Sequence, residues 1–190
     1  MKDPTAPEIK PIEPKPVTIN AKRSALLVLE LSQYLEDPEY FAAPLAPGIN
    51  KLLERARAAG VLIVFTLPLV WKGEPHGQVY SGFKRRACEP LFFLTGFDKF
   101  SDGQLQSLLS LYDVNTLIMT GCKANMALLY TATRAATELN YDVIIPVDGM
   151  AATTEYEKEY TLYQFRAYPG GFTQRFTFTK LDMISFQSGK

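Results

Sequence analysis

Two residue types in this chain draw attention first, because each is placed where an ordinary side chain would not be. Glu30 closes the apolar run Ala25–Leu31 (ALLVLEL), which reads as a strand buried on both faces. A carboxylate at such a place is costly unless it is paired or working, so Glu30 is a candidate base or charge anchor. Cys122 follows a second apolar run, Thr116–Thr120, directly after Gly121 and directly before Lys123. A lysine beside a cysteine favours the thiolate, the form that attacks carbon. The plainer reading of Cys122 is a small apolar side chain filling a turn. Lys99 and Lys123 are the candidate cationic partners of Glu30. Cys88 lies among Lys84, Arg85, Arg86 and Glu89 and reads as a surface bystander. His76 is the only histidine, and it shares the long connection 67–84 with Trp71. One histidine does not make a histidine-rich metal site, so no metal is expected. His76 reads either as a solvated loop residue or, with Trp71, as part of a pocket wall.

The elements that must position these residues alternate regularly. Strand-like runs cover residues 25–31, 61–65, 90–95, 116–120, 143–147 and 175–179. Between them lie helical stripes. Ile49, Leu52, Leu53, Ala56 and Ala59 form one, closed by Gly60. Leu105, Leu108, Leu109 and Tyr112 form another, with Ser101 and Gln104 spaced as a capping box. The helix from Ala124 to Leu139 is the strongest, and Thr154 with Glu157 announces a capped last helix. Pro146 inside 143–147 predicts that this strand ends there. Such alternation predicts a three-layer α-β-α domain around a mainly parallel, about six-stranded Rossmann-like sheet. In that architecture the site lies beyond the carboxyl ends of the strands, where the strand order reverses. Glu30 and its followers, the 67–84 loop, Gly121–Asn125 and Asp148 onward are then the informative positions.

The first 22 residues carry Pro4, Pro7, Pro11, Pro14 and Pro16 and read as an extended arm, with the domain occupying 23–190. Lysine plus arginine and aspartate plus glutamate number 20 each, which gives no field for nucleic acid. A small-molecule partner fits better. Hydrophobic residues make up 47% of the chain, yet no apolar run approaches a membrane span and no signal peptide is recognisable. With two cysteines and no disulfide framework, the expectation is a cytoplasmic protein.

Three segments together resemble the isochorismatase-like cysteine hydrolase family. They are Ala25–Gln33 (ALLVLELSQ), Thr116–Asn125 (TLIMTGCKAN) and Ala135–Asp148 (AATELNYDVIIPVD). The resemblance implies a hydrolase using an Asp-Lys-Cys triad, without a cofactor, as a homodimer or homotetramer. It also implies a non-proline cis peptide in the turn, expected here between Lys123 and Ala124. At the implied triad positions this chain differs. The aspartate falls on Glu30, the nucleophilic cysteine on Ala127, and the lysine on Leu94 without a gap or Lys99 with one. Two expectations follow. In one, the protein is a pseudoenzyme that binds a small carbonyl, amide or aromatic-acid metabolite in a pocket edged by Trp71, His76, Lys123, Ala124, Asn125 and Ala127. In the other, it is an active hydrolase of C–N or ether bonds with a rearranged site, using Glu30 with Cys122 and Lys99 or Lys123 or a glutamate-activated water. A scaffold or assembly role would also fit such a fold.

Overall fold

A computed structural model describes residues 11–187 of the chain. Its strands, in chain order, are β1 (Val17–Asn20), β2 (Ser24–Leu29), β3 (Leu62–Pro68), β4 (Leu91–Leu94), β5 (Thr116–Cys122), β6 (Asp142–Pro146), β7 (Met150–Ala151), β8 (Phe176–Thr179) and β9 (Ile184–Gln187). The α-helices are α1 (Ala46–Ala59), α2 (Gln104–Leu111), α3 (Leu129–Thr137) and α4 (Glu155–Ala167).

The central sheet has seven strands in the order β4-β3-β2-β5-β6-β8, with the short β7 added beside β5. All of its pairings are parallel. The chain begins the sheet in the middle at β2, builds outward through β3 to β4, then returns to the other side of β2 with β5. The order therefore reverses between β2 and β5, and the crevice outside their carboxyl ends is the expected ligand position. Every residue of β2 is buried, which explains its unbroken apolar sequence.

One face of the sheet is covered by α1, through Ile49, Leu52, Leu53 and Ala56, together with Leu181 and Ile184 near the C-terminus. The other face carries α2, α3 and α4, through Leu105, Leu109, Ala132, Ala135, Leu162 and Phe165. Gly60 ends α1 in the left-handed conformation, as its position suggests. Thr154 and Glu157 form the reciprocal capping box of α4. β6 ends at Pro146, and β8 is an edge strand, both as the sequence indicates.

Three local expectations are corrected. Ser101 and Gln104 do not cap α2. Gly103 takes the N-cap place in a left-handed conformation, and Asp102 instead accepts from the Gln104 backbone N–H at 3.0 Å. The helix expected from Ala124 begins as a π-helical turn, Ala124–Leu128, and becomes α-helical only at Leu129. The non-proline cis bond joins Cys122 to Lys123, one residue before the place expected, because β5 runs on through Cys122 and the helix begins at Ala124.

Within the stretch read as a proline-rich arm, Val17–Asn20 pair in parallel with Ile184–Gln187. Lys15 also donates its backbone N–H to Phe178 of the edge strand at 3.1 Å. Residues 1–10 of the arm, Pro4 and Pro7 among them, lie outside the described residues. No helix among the described residues is long and apolar enough to cross a membrane.

Candidate active site

The site is built where β2 and β5 end. Glu30 follows the last residue of β2 in a left-handed backbone conformation, φ 56°, which is uncommon for a residue with a side chain. Its main chain is held from both sides. The N–H donates to Thr66 of β3 at 2.9 Å, and the carbonyl accepts from the Cys122 thiol of β5 at 3.3 Å. The next strand comes this close because Gly121 has no side chain: a Cβ there would lie 2.0 Å from the Leu29 carbonyl oxygen.

With its backbone fixed, Glu30 sends its carboxylate to Lys99, whose Nζ stands 2.5 Å from Oε1. The Lys99 side chain is fully buried, whereas 13% of that of Glu30 remains exposed. Nζ also donates to the Gly96 carbonyl at 3.0 Å. Of the two lysine candidates, then, Lys99 reaches Glu30. Leu94 is buried at the end of β4, paired to β3.

Helix α3 positions Lys99. Thr131 accepts from the Lys99 backbone N–H at 3.1 Å and its hydroxyl donates to the Phe97 carbonyl at 3.2 Å. Arg134 pairs with Asp98 at 2.7 Å. Sequence reasoning missed Thr131, although it stands four residues after Ala127, the spacing that stacks side chains on one helical face. Ala124 and Ala127 are fully buried in the π-helical turn.

Cys122 does not join the Glu30 carboxylate. It is 2% exposed and packs with the core on the α1 face, whereas Ala124 and Phe100, the residue after Lys99, pack on the α3 face. Its polar contacts are the Glu30 carbonyl and, at 3.9 Å, the Tyr40 hydroxyl. Burial pushes the thiol up to about 12, outweighing the opposing Tyr40 contact; the Glu30 charge adds to the rise and Lys123 works against it, both less strongly. Burial, and then Cys122 itself, likewise raise the Tyr40 phenol. Lys123, the other proposed partner of Glu30, lays its ammonium 5.7 Å from the centre of the Phe41 ring. In the same turn Asn125 keeps a buried side-chain oxygen without a hydrogen-bond partner among the described residues.

Trp71 and His76 meet in one aromatic cluster, and Tyr34 is its centre. Tyr34 stacks on His76 at 4.8 Å and on Tyr40 at 5.5 Å, and meets Trp71 edge-on at 5.6 Å. Tyr40 connects this cluster to Cys122. The long loop is tied down by backbone bonds from Gln33 to Gln78 and from Tyr80 to Leu31. Tyr34 and Tyr40 were missed as site residues. The available signal was their place after β2, on the side of the sheet where ligand contacts are expected.

The chain matches the Isochorismatase domain family over residues 24–174. It belongs to the isochorismatase family. Solved structures agree on the fold. A cysteine hydrolase from Pseudomonas syringae pv. phaseolicola 1448A superposes with a TM-score of 0.76 at 20% identity, covering 91% of this chain and 94% of the other. The nicotinamidase from Staphylococcus aureus gives 0.71 at 21% identity, covering 83% and 98%. The N-carbamoylsarcosine amidase from Thermoplasma acidophilum gives 0.68 at 19%, covering 84% and 97%. No curated protein matches the chain by sequence. The three-layer fold of this isochorismatase-family chain thus has the parallel sheet and the switch point that its sequence suggested.

Proposed function

We propose that this protein is an isochorismatase-family member that binds a small carbonyl, amide or aromatic-acid metabolite without the family's thiol hydrolysis. One observation carries the reading: the position that the family resemblance assigns to the nucleophile is Ala127, a buried methyl, while the charged pair Glu30–Lys99 is kept beside the switch point. A methyl group cannot form the covalent intermediate on which nucleophilic catalysis depends. The part-exposed carboxylate, held by the buried Lys99, can still orient a polar ligand, and Asn125 offers a buried acceptor that an amide N–H would satisfy. The aromatic cluster around Tyr34 provides a flat apolar wall for a ring.

The rearranged alternative with Cys122 as nucleophile is disfavoured. Its thiol is pushed up to about 12 and bonds the Glu30 carbonyl rather than the carboxylate that would have to take its proton. Activation of a water by the part-exposed Glu30 carboxylate is the form of hydrolysis that the geometry leaves available.

Thermal shift with nicotinamide, benzamide and benzoate tests binding, and chromatography of the same mixtures tests turnover. The expected result is a raised melting temperature with at least one probe, unchanged probe and unchanged intact protein mass. Steady hydrolysis abolished by Cys122→Ser would overturn the proposal in favour of the thiol. Hydrolysis abolished by Glu30→Gln but not by Cys122→Ser would overturn it in favour of water. In a second experiment, Ala127→Cys with Glu30→Asp should gain iodoacetamide labelling at residue 127. A folded variant that gains none would count against the residue register.

A further inference from the structure

At the opposite end of the sheet, where the strands begin, lies a second cleft that the family site does not use. It holds about 280 Å³ and is lined by residues preceding β2, β3, β4 and β5, among them Lys22, Arg57, Arg86, Cys88, Glu89 and Tyr112. Its floor is rigid. Arg57 of α1 grips both oxygens of Glu89, at 2.7 and 2.9 Å, and both side chains are less than a tenth exposed. The same guanidinium donates to the Phe83 carbonyl at 3.0 Å, and the Arg86 backbone N–H donates to Glu89 at 2.8 Å. One arginine thereby fixes the whole 83–89 turn against α1. Burial by itself would raise the Glu89 carboxyl. The hydrogen bonds from Arg57 and Arg86 and their charges prevail and hold it below the usual carboxylate range.

The carboxylate in the cleft is thus already neutralised. The remaining nearby acid, Asp113 beside Tyr112, faces outward and pairs with Arg23 at 3.4 Å. Lys22 and Arg86 are exposed, and neither side chain makes a hydrogen bond or ion pair among the described residues. Lys84 and Arg85 flank them, also exposed. In a chain whose charges balance at 20 and 20, this is a local surplus of positive charge gathered around a cavity. Tyr112 also lines the cleft, with 54% of its surface open, beside these exposed cations.

We propose that this cleft binds a nucleotide: phosphates on Lys22 and Arg86, and the base stacked on Tyr112. The phosphate chemistry follows from two exposed cations, of which Arg86 also acts on Glu89, beside a carboxylate that Arg57 already grips. The ring requirement follows from the exposed aromatic at the rim, since any base offers a π-face.

The full-length protein is titrated by calorimetry with inorganic pyrophosphate and with ADP at low ionic strength. ADP should bind, and Lys22→Glu with Arg86→Glu should weaken it by about tenfold or more. Tyr112→Ala should weaken ADP by roughly tenfold and leave pyrophosphate unchanged. Cys88 supplies an independent readout, because it is the exposed thiol and lines the same cleft. Saturating ADP should slow its alkylation in the wild type and not in the charge-reversed variant. No binding of either probe at millimolar concentration would overturn the proposal, as would binding indifferent to Lys22→Glu and Arg86→Glu. Equal affinity for pyrophosphate and ADP would remove the nucleotide from it. A single-stranded RNA oligomer binding far more tightly than ADP would replace the small ligand by a polymer. None of these outcomes touches the Glu30 site, which lies at the other end of the strands.

Discussion

The ion pair between Glu30 and Lys99 is the most demanding feature of the candidate site, and its removal gives a quantitative test. Glu30→Gln leaves a fully buried ammonium with neutral acceptors only, the Gly96 carbonyl and the new amide oxygen, and no counter-charge. Breaking a buried pair from one side costs about 3–5 kcal/mol, since the surviving charge stays desolvated. For a domain of this size that lowers the melting temperature by roughly 10 °C. Lys99→Met strands the other partner. Glu30 keeps 13% of its side chain in solvent, so the loss should fall at the lower end, ~3 kcal/mol. Removing both charges together, Glu30→Gln with Lys99→Met, leaves no bare charge and should cost ~1 kcal/mol or less. The double-mutant cycle should therefore show a coupling of about 5–7 kcal/mol, the sum of the two single losses less that of the double variant. Urea unfolding followed by circular dichroism measures it. Fluorescence of Trp71, the single tryptophan, follows the aromatic cluster in the same samples. Two single variants each within about 1 kcal/mol of wild type, and additive, would refute the reasoning, because a desolvated pair cannot behave that way. A double variant as stable as wild type that no longer binds the probes would assign the pair to ligand binding.

Three further outcomes are expected. One thiol, Cys88, should react with Ellman's reagent in the native protein at pH 8, and two in guanidinium chloride, because burial holds Cys122 in its protonated form up to about 12. Glu89 is held below its unfolded value, so its contribution to stability is present above the unfolded carboxylate range and is lost as pH falls through the lower folded value. Glu89→Gln should accordingly destabilise at pH 7 by about 3–5 kcal/mol and flatten the acid limb of the stability profile, measured by urea midpoints between pH 3 and 7. Thr154→Ala removes the cap of α4 and should cost about 1 kcal/mol, read as a shifted urea midpoint with an unchanged slope.

The sequence alone determined the sheet-and-helix alternation, the capping box of α4, the stop at Pro146 and the end of α1 at Gly60. These follow from local rules: burial on both faces writes an unbroken apolar run, and a cap or a proline acts within one turn. It also marked Glu30, since a carboxylate ending such a run is anomalous at the level of composition. It did not choose between Lys99 and Lys123 as the partner, nor decide whether Cys122 faces the carboxylate. Those depend on which side of the sheet each side chain leaves, and Lys99 is brought to Glu30 across 69 positions by contacts from α3. The pairing of Val17–Asn20 with Ile184–Gln187 was likewise illegible, its partners lying 167 residues apart beneath a proline-rich composition. The cleft at the amino ends of the strands has the same origin. Lys22, Arg86 and Tyr112 carry no joint signal along the chain, and only the parallel sheet, by bringing all its strand starts to one edge, sets their charges and ring around one cavity.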